Sequence, residues 1–193
     1  MKGHIYTPWL TAFTSRKLLV VFLLPLLLVA CRDDDELPDE PVINEISYDM
    51  ASDDLKVRFT DGDGDFGLTD DMIDPPFQAL NKDSTSNFFH YNLHVEPFIK
   101  QGGEFIPAST NPLALGYRYR IPDLTPQGQN KQLRVLVTVD FSEGIKEVRS
   151  LFAPDSASAA THTDTIQFKV TLVDRALNVS QPAYTQPKVF GPS

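Results

Sequence analysis

Four segments of this sequence alternate apolar and polar residues with a period of two, and this pattern constrains the fold most strongly. One side of each segment carries aliphatic or aromatic residues, and the other side carries polar or charged ones. Such alternation is typical of β-strands that lie between a hydrophobic core and solvent. The segments are residues 55–60, 89–99, 133–139 and 166–172.

Shorter strand candidates fill most of the remaining chain, at residues 43–50, 104–107, 117–121 and 183–189. Between two of the candidates, Gln101-Gly102-Gly103 predicts a hairpin turn. No segment after residue 30 shows a convincing helical period, and only residues 150–160 are predicted to hold a short helical turn. About seven or eight short strands therefore predict an all-β fold, an antiparallel immunoglobulin-like β-sandwich, with a barrel as the alternative.

The first 30 residues have the pattern of an export signal. Basic residues precede an apolar run at 18–29, and Ala30 then precedes Cys31, the only cysteine of the chain. The run suits a signal peptide and is short for a membrane span. A signal that ends in a small residue and Cys resembles the lipobox of bacterial lipoproteins, which implies cleavage before Cys31 and lipid attachment to it. A plain signal peptide or an uncleaved anchor is the alternative.

Residues 32–41 are acidic and contain two prolines, which predicts an extended tether. An acidic cluster directly after a lipidated cysteine resembles the surface-export signal of Bacteroidota-type lipoproteins. The resemblance implies residence in the outer membrane, lipid-anchored, with the domain facing the cell exterior; a solvated spacer is the alternative. The predicted organisation is a signal peptide at 1–30, a lipidated cysteine and tether at 31–41, and one β-sandwich domain at 42–193.

Charge excludes some classes of partner. Three of the 17 basic residues and none of the 26 acidic residues lie in the signal, so residues 31–193 carry a formal net charge of −12. An acidic chain of this kind is a poor ligand for nucleic acid or anionic lipid headgroups, and it suits the binding of cations. Because the domain lacks cysteine, its fold depends on a core or on metal rather than on disulfides.

Carboxylates at alternate positions, separated by glycines, follow the predicted strand at 55–60. Calcium takes six to eight oxygen ligands, and such a turn lets several carboxylates converge on one ion. The sequence therefore indicates calcium as the cofactor of this loop, and a solvated acidic turn is the alternative. The candidate ligands are Asp61, Asp63 and Asp65, with Asp70 or Asp71 to complete the shell.

The loop departs from an EF-hand. If Asp61 is position 1, the glycine required at position 6 is replaced by Phe66, and the bidentate glutamate of position 12 is replaced by Met72. A predicted strand also precedes the loop where an EF-hand has a helix. A calcium loop that connects strands is the remaining metal interpretation.

Two motifs carry a family resemblance. The first is the strand that runs into Asp-Gly-Asp-Gly-Asp at 61–65, and the second is Val-Asp-Arg-Ala-Leu-Asn-Val-Ser at 173–180. Together they resemble small lipoproteins of Bacteroidota-type bacteria, and the second is similar to the ending of immunoglobulin-like modules. The resemblance implies a β-sandwich and an exported location, and it implies no catalytic residues. From the residues alone, Asp174 and Asn178 are expected to fix a turn by bonding nearby backbone.

These features predict a binding or interaction module rather than an enzyme. The polar side of the segment 89–99 is expected to face solvent and to contact a protein or glycan partner; its members are His90, Asn92, His94 and Glu96. The two histidines lie too far apart on a strand to share one zinc ion. The alternative is a metal-dependent hydrolase with its site near the acidic loop at 61–71.

Overall fold

Nine β-strands and one α-helix form the part of the chain that the computed structural model describes, residues 37–108, 117–128, 131–152 and 164–191. The predicted signal peptide and Cys31 lie outside these residues. The strands are β1 (Val42–Asp49), β2 (Asp54–Asp61), β3 (Leu93–Gln101), β4 (Glu104–Pro107), β5 (Tyr117–Tyr119), β6 (Leu133–Asp140), β7 (Asp164–Leu172), β8 (Ala183–Tyr184) and β9 (Lys188–Phe190), and the helix is α1 (Ser142–Phe152).

Antiparallel pairing arranges the strands in two sheets. The first has the order β1-β2-β6. The second has the order β4-β3-β7-β8, with β5 also paired to β3 and β9 also paired to β7. The predicted all-β antiparallel fold is therefore confirmed. Three of the four alternating segments supply the central strands β2, β3 and β7, and the fourth supplies β6 at the edge of the first sheet.

The core lies between the two sheets and contains the apolar side of each alternating segment. Leu55, Val57 and Phe59 of β2 are fully buried, as are the corresponding residues of β7. Aromatic rings join the layers, since the ring of Tyr48 in β1 lies 5.0 Å from that of Phe168 in β7. Burial of these large side chains supplies the main driving force for folding.

The structure confirms the predicted hairpin turn between β3 and β4. Gln101 pairs with Glu104, and Gly102 and Gly103 occupy positive φ angles of 61° and 96°. A two-residue turn in which both residues have positive φ matches the twist of antiparallel strands, and glycine adopts this conformation without steric cost.

Helix α1 corrects the sequence-based expectation, which placed a helical turn at 150–160 and no helix earlier. The helix occupies Ser142–Phe152, and Asp140 accepts a hydrogen bond of 2.9 Å from the backbone N–H of Ser142 at its start. Ile145 and Val148 bury one side of the helix against the core beside Phe141. In the sequence, Leu151 and Phe152 continue the helical spacing of these three residues, a signal that was missed beside the strong alternation of β6.

Candidate metal centre

Three carboxylates converge where β2 ends. Asp61 is the last residue of β2 and pairs through its backbone with Leu133 of β6. The ligand atoms of Asp61, Asp63 and Asp65 all lie within 4.8 Å of one another. Oxygens that bind one calcium ion at 2.3–2.6 Å are separated by at most about 5 Å, so the spacing fits a shared ion. The structure thus brings together the first three predicted ligands.

Asp61 is the most unusual member of this group. The residue is fully buried, and neither of its carboxylate oxygens has a hydrogen-bond partner. Burial, reinforced by the neighbouring charge of Asp63, raises the pKa of Asp61 to about 8. A buried carboxylate without donors is costly, and either a proton or a cation at this position removes the cost.

Asp65 shares part of this environment. Burial, followed by the charge of Asp63, raises the pKa of Asp65, and hydrogen bonds from the backbone of Arg175 and Ala176 oppose the rise. Its Oδ1 atom is buried without a hydrogen-bond partner. Three carboxylate oxygens of the cluster therefore lack donors, two on Asp61 and one on Asp65, which is the arrangement that a hard cation satisfies.

Close backbone contacts shape the loop and explain its glycines. Gly64 has a φ of +68°, and a Cβ atom there would lie 1.7 Å from the carbonyl oxygen of Lys131. Gly67 has a φ of +107°, and its Cβ atom would lie 2.3 Å from the carbonyl oxygen of Pro122. Both positions therefore require glycine for conformation and for space.

Phe66 anchors the loop between these two glycines. The residue is fully buried, and its ring lies 4.4 Å from that of Phe59 in β2. Its carbonyl oxygen accepts a hydrogen bond of 3.1 Å from the backbone N–H of Leu124. The apolar residue that breaks the EF-hand pattern thus fastens the acidic loop to the core and to the segment at 121–126.

A further acidic residue, Asp174, lies near the three carboxylates, in the turn after β7. Asp174 is buried and accepts hydrogen bonds from the backbone N–H of Asn178 at 2.7 Å and from its side-chain amide at 2.8 Å. These bonds confirm the expected turn-fixing role of both residues. Burial raises the pKa of Asp174 to about 6 despite the bonds from Asn178, and the charges of Asp65 and Asp63 add to the rise.

Sequence reasoning missed the proximity of Asp174 to the loop. Leu177 of this turn has a φ of +70°, in the left-handed region that favours glycine. Arg175 ties the same turn to a third segment, since its guanidinium pairs with Asp123 at 2.6 Å and also donates to the hydroxyl of Thr125. The only available signal was that both acidic turns follow buried strands.

Asp70 and Asp71 lie apart from the group of three carboxylates that converge. Both are exposed, and Asp71 instead accepts a hydrogen bond from the hydroxyl of Thr69. The backbone of this region is held by Arg120, which donates to the carbonyl oxygens of Thr69 at 3.0 Å and Met72 at 3.2 Å. These bonds hold residues 69–72 beside Arg120, which directly follows β5 of the second sheet.

The expected polar contact surface on β3 is wrong for two of its four residues. Asn92 is buried and exchanges hydrogen bonds of 2.6 and 2.8 Å with the backbone of Ile121. His94 is also buried, stacks on Phe88 at 4.0 Å, and has its pKa lowered to about 4 by burial. Phe88 of the 3-10 turn and Ile121, which follows β5, supply these contacts, which an alternating pattern does not reveal.

The other two residues have different environments. His90 lies in a 3-10 turn (Phe88–His90), and its Nδ1 atom is 2.8 Å from the carbonyl oxygen of Phe77. Glu96 is exposed and pairs with Lys169 of β7 at 3.2 Å. The predicted strand at 89–99 begins only at Leu93, so His90 and Asn92 precede the strand that contains His94 and Glu96.

A cleft of about 360 Å³ opens beside the turn after β7 and is lined by Asn178, Val179 and Gln181 together with residues 40–43.

Among the described residues, no helix is long and apolar enough to cross a membrane. No protein-family model matches the sequence, and no curated protein shows significant similarity to it. The geometry of the site is therefore the basis for any functional conclusion about the domain.

Proposed function

We propose that this chain is a lipid-anchored protein of the bacterial outer membrane, exposed at the cell surface, whose β-sandwich is a calcium-stabilised binding module. Cys31 is its lipid attachment site, and Asp61, Asp63 and Asp65 hold the ion. The partner is a protein or glycan outside the membrane. The resemblance to Bacteroidota-type lipoproteins supports the location.

The observation that carries the calcium assignment is the carboxylate of Asp61. It is fully buried without a hydrogen-bond donor, and two further carboxylates have ligand atoms within 4.8 Å. An all-oxygen, all-carboxylate set favours a hard divalent cation over zinc or copper, which prefer nitrogen or sulfur ligands. The net charge of −12 in residues 31–193 adds a favourable long-range field.

The strand order supports an immunoglobulin-like topology for the module. If β1, β2 and β6 correspond to strands A, B and E, the other sheet follows as C′, C, F and G in β4, β3, β7 and β8. This division of strands between two sheets is that of immunoglobulin-like sandwiches. The metal cluster then lies in the B–C connection, with Asp174 in the F–G turn.

Calcium is expected to raise the melting temperature of the full chain in detergent. At about one hundred times its dissociation constant, a ligand that binds only the folded state adds about 2.7 kcal/mol, which is roughly 5–10 °C for a domain of this size. Thermal melts with calcium, with magnesium and with chelator measure the effect. Asp70→Asn is the matched control, because it removes one acidic charge outside the cluster and should keep the shift.

An unchanged melting temperature at millimolar calcium would remove the metal from the proposed function. A calcium shift that Asp70→Asn abolishes would assign the ion to a different set of ligands. Either result is independent of the lipid anchor, which a separate variant tests.

Replacing the anchor residue, Cys31→Ser, is expected to abolish lipid attachment and to change the location of the chain. Two lipid signals are needed for stable membrane residence, so an unlipidated chain loses its hold on the outer membrane. Labelling with an alkynyl fatty acid in a Bacteroidota-type host measures attachment, and protease treatment of whole cells measures surface exposure. Retained label in the serine variant would contradict the assignment.

A further inference from the structure

The acidic loop contacts the residues through which the chain enters the domain. The backbone N–H of Gly62 donates a hydrogen bond of 2.8 Å to the carbonyl oxygen of Pro38. A Cβ atom at Gly62 would lie 2.2 Å from the carbonyl oxygen of Leu37. This peptide lies between Asp61 and Asp63, so the candidate metal cluster and the beginning of the described chain meet at one residue.

Residues 37–41, here called the junction segment, lie at the end of the predicted tether. These residues belong to the same compact unit as the strands of the domain. Pro41 is buried, and β1 starts at Val42 as the edge strand of the first sheet. The Gly62–Pro38 bond joins this segment to the loop after β2.

We propose that a divalent cation held by Asp61, Asp63 and Asp65 acts as a clasp that fixes the junction segment to the domain. The inference deepens the calcium assignment and rests on it. A cation fixes the carboxylates on both sides of Gly62 and thereby fixes the N–H group that Pro38 accepts. Two observations point to the ion: the converging ligand atoms and the fully buried, unpartnered side chain of Asp61.

Loss of the ion reverses this effect. Without the ion the three carboxylates lose their shared partner, and the like charges of Asp63 and Asp65 repel one another, which loosens the loop residues that present the Gly62 N–H. Pro38 then loses its donor, and the junction segment is released from the loop after β2. An extended segment of this length adds about 17 Å of reach between the membrane and the domain. The cation thereby controls how closely the domain is held to the membrane.

Hydrogen exchange at the Gly62 amide tests the clasp directly, because its partner is the Pro38 carbonyl oxygen of the junction segment. The full chain in detergent is exchanged with calcium chloride or with chelator, and mass spectrometry with electron-transfer fragmentation resolves the amide. We expect calcium to slow exchange at Gly62 by at least about tenfold, equivalent to 1.4 kcal/mol of local stability. Asp70→Asn should show the same slowing.

Gly62→Ala separates the clasp from metal binding. The added Cβ atom displaces the junction segment while all three carboxylates remain, so we expect the calcium-induced rise in melting temperature to persist and the protection at residue 62 to disappear. If this variant does not fold, the comparison of the wild-type chain with and without calcium decides the question alone.

The results that would overturn the clasp can be distinguished from those that would overturn calcium binding. A wild-type chain that melts higher in calcium but exchanges Gly62 equally fast in both conditions overturns the clasp and leaves calcium binding intact. A chain with no melting response and no change in exchange overturns both. Protection of Gly62 that is equal and strong in both conditions also overturns the clasp, because the bond would then be independent of the ion.

Discussion

Asp61→Asn is expected to stabilise the calcium-free domain and to abolish its response to calcium. The asparagine keeps the shape of the side chain, removes the buried charge and can donate hydrogen bonds to Asp63 and Asp65. Removal of an uncompensated buried charge is worth about 3 kcal/mol near pH 8. The same substitution deletes a central ligand, so the variant should melt above the wild type in chelator and should not shift in calcium.

The stabilisation depends on pH in a defined direction. The pKa of Asp61 is about 8 in the folded domain, above its ordinary value of 3.8, because burial and the charge of Asp63 disfavour the ionised form. The folded state therefore holds this proton more tightly than the unfolded state does. Relative to Asp61→Asn, the calcium-free wild type loses stability as pH rises from about 4 to about 8.

Urea denaturation at several pH values, with chelator and with calcium, measures this prediction. The gap between the variant and the wild type should be small at pH 4 and widest near pH 8. Asp70→Asn, which removes an exposed charge, should follow the wild type. An Asp61→Asn domain that is less stable than the wild type in chelator at pH 8 would show that the carboxylate is satisfied in a way that the structure does not contain.

Gly64→Ala is expected to destabilise the domain far more than Gly102→Ala. The two glycines have nearly equal φ angles, +68° and +61°, so the conformational cost of alanine, about 1 kcal/mol, is common to both. Only at Gly64 does the new Cβ atom meet backbone, 1.7 Å from the carbonyl oxygen of Lys131, whereas nothing lies within 4 Å at Gly102. We expect a total loss of about 4 kcal/mol for Gly64→Ala.

The midpoint of urea denaturation measures both losses, and an unchanged slope confirms that two-state unfolding is preserved. Because Gly64 lies between Asp63 and Asp65, its replacement should also weaken the calcium response, whereas Gly102→Ala should retain it. Equal losses in the two variants would contradict the close approach of the loop to Lys131.

Local patterns were enough to predict the strands but not the arrangement around them. Apolar and polar residues alternate in β2 and β7 because one side of each strand packs against the core. The glycine pair after β3 predicts the hairpin turn because glycine readily adopts positive φ angles. The Asp61, Asp63 and Asp65 group was predictable because neighbouring residues of one turn are held together by chain connectivity. In each case the residues that determine the structure are close together in the sequence.

Features that depend on distant segments were not predictable. Asn92 and His94 occupy polar positions of the alternating pattern, yet both are buried. Asn92 bonds the backbone of Ile121, and His94 stacks on Phe88 of the preceding 3-10 turn. Asp174 lies close to the acidic loop because β2 and β7 end at the same end of the β-sandwich. Helix α1 was missed although Ile145, Val148, Leu151 and Phe152 have helical spacing, because the helix directly follows a strong strand pattern.

Arg175 links the acidic loop to its surroundings. Through Asp123 and Thr125 it joins the turn after β7 to the segment at 121–126, which in turn bonds the carbonyl oxygen of Phe66 in the acidic loop. Three loops from different parts of the chain therefore share one set of contacts. If calcium occupies the proposed site, a ligand that binds preferentially to the calcium-bound arrangement of these loops increases the affinity for calcium. By thermodynamic reciprocity, calcium increases the affinity for that ligand by the same factor.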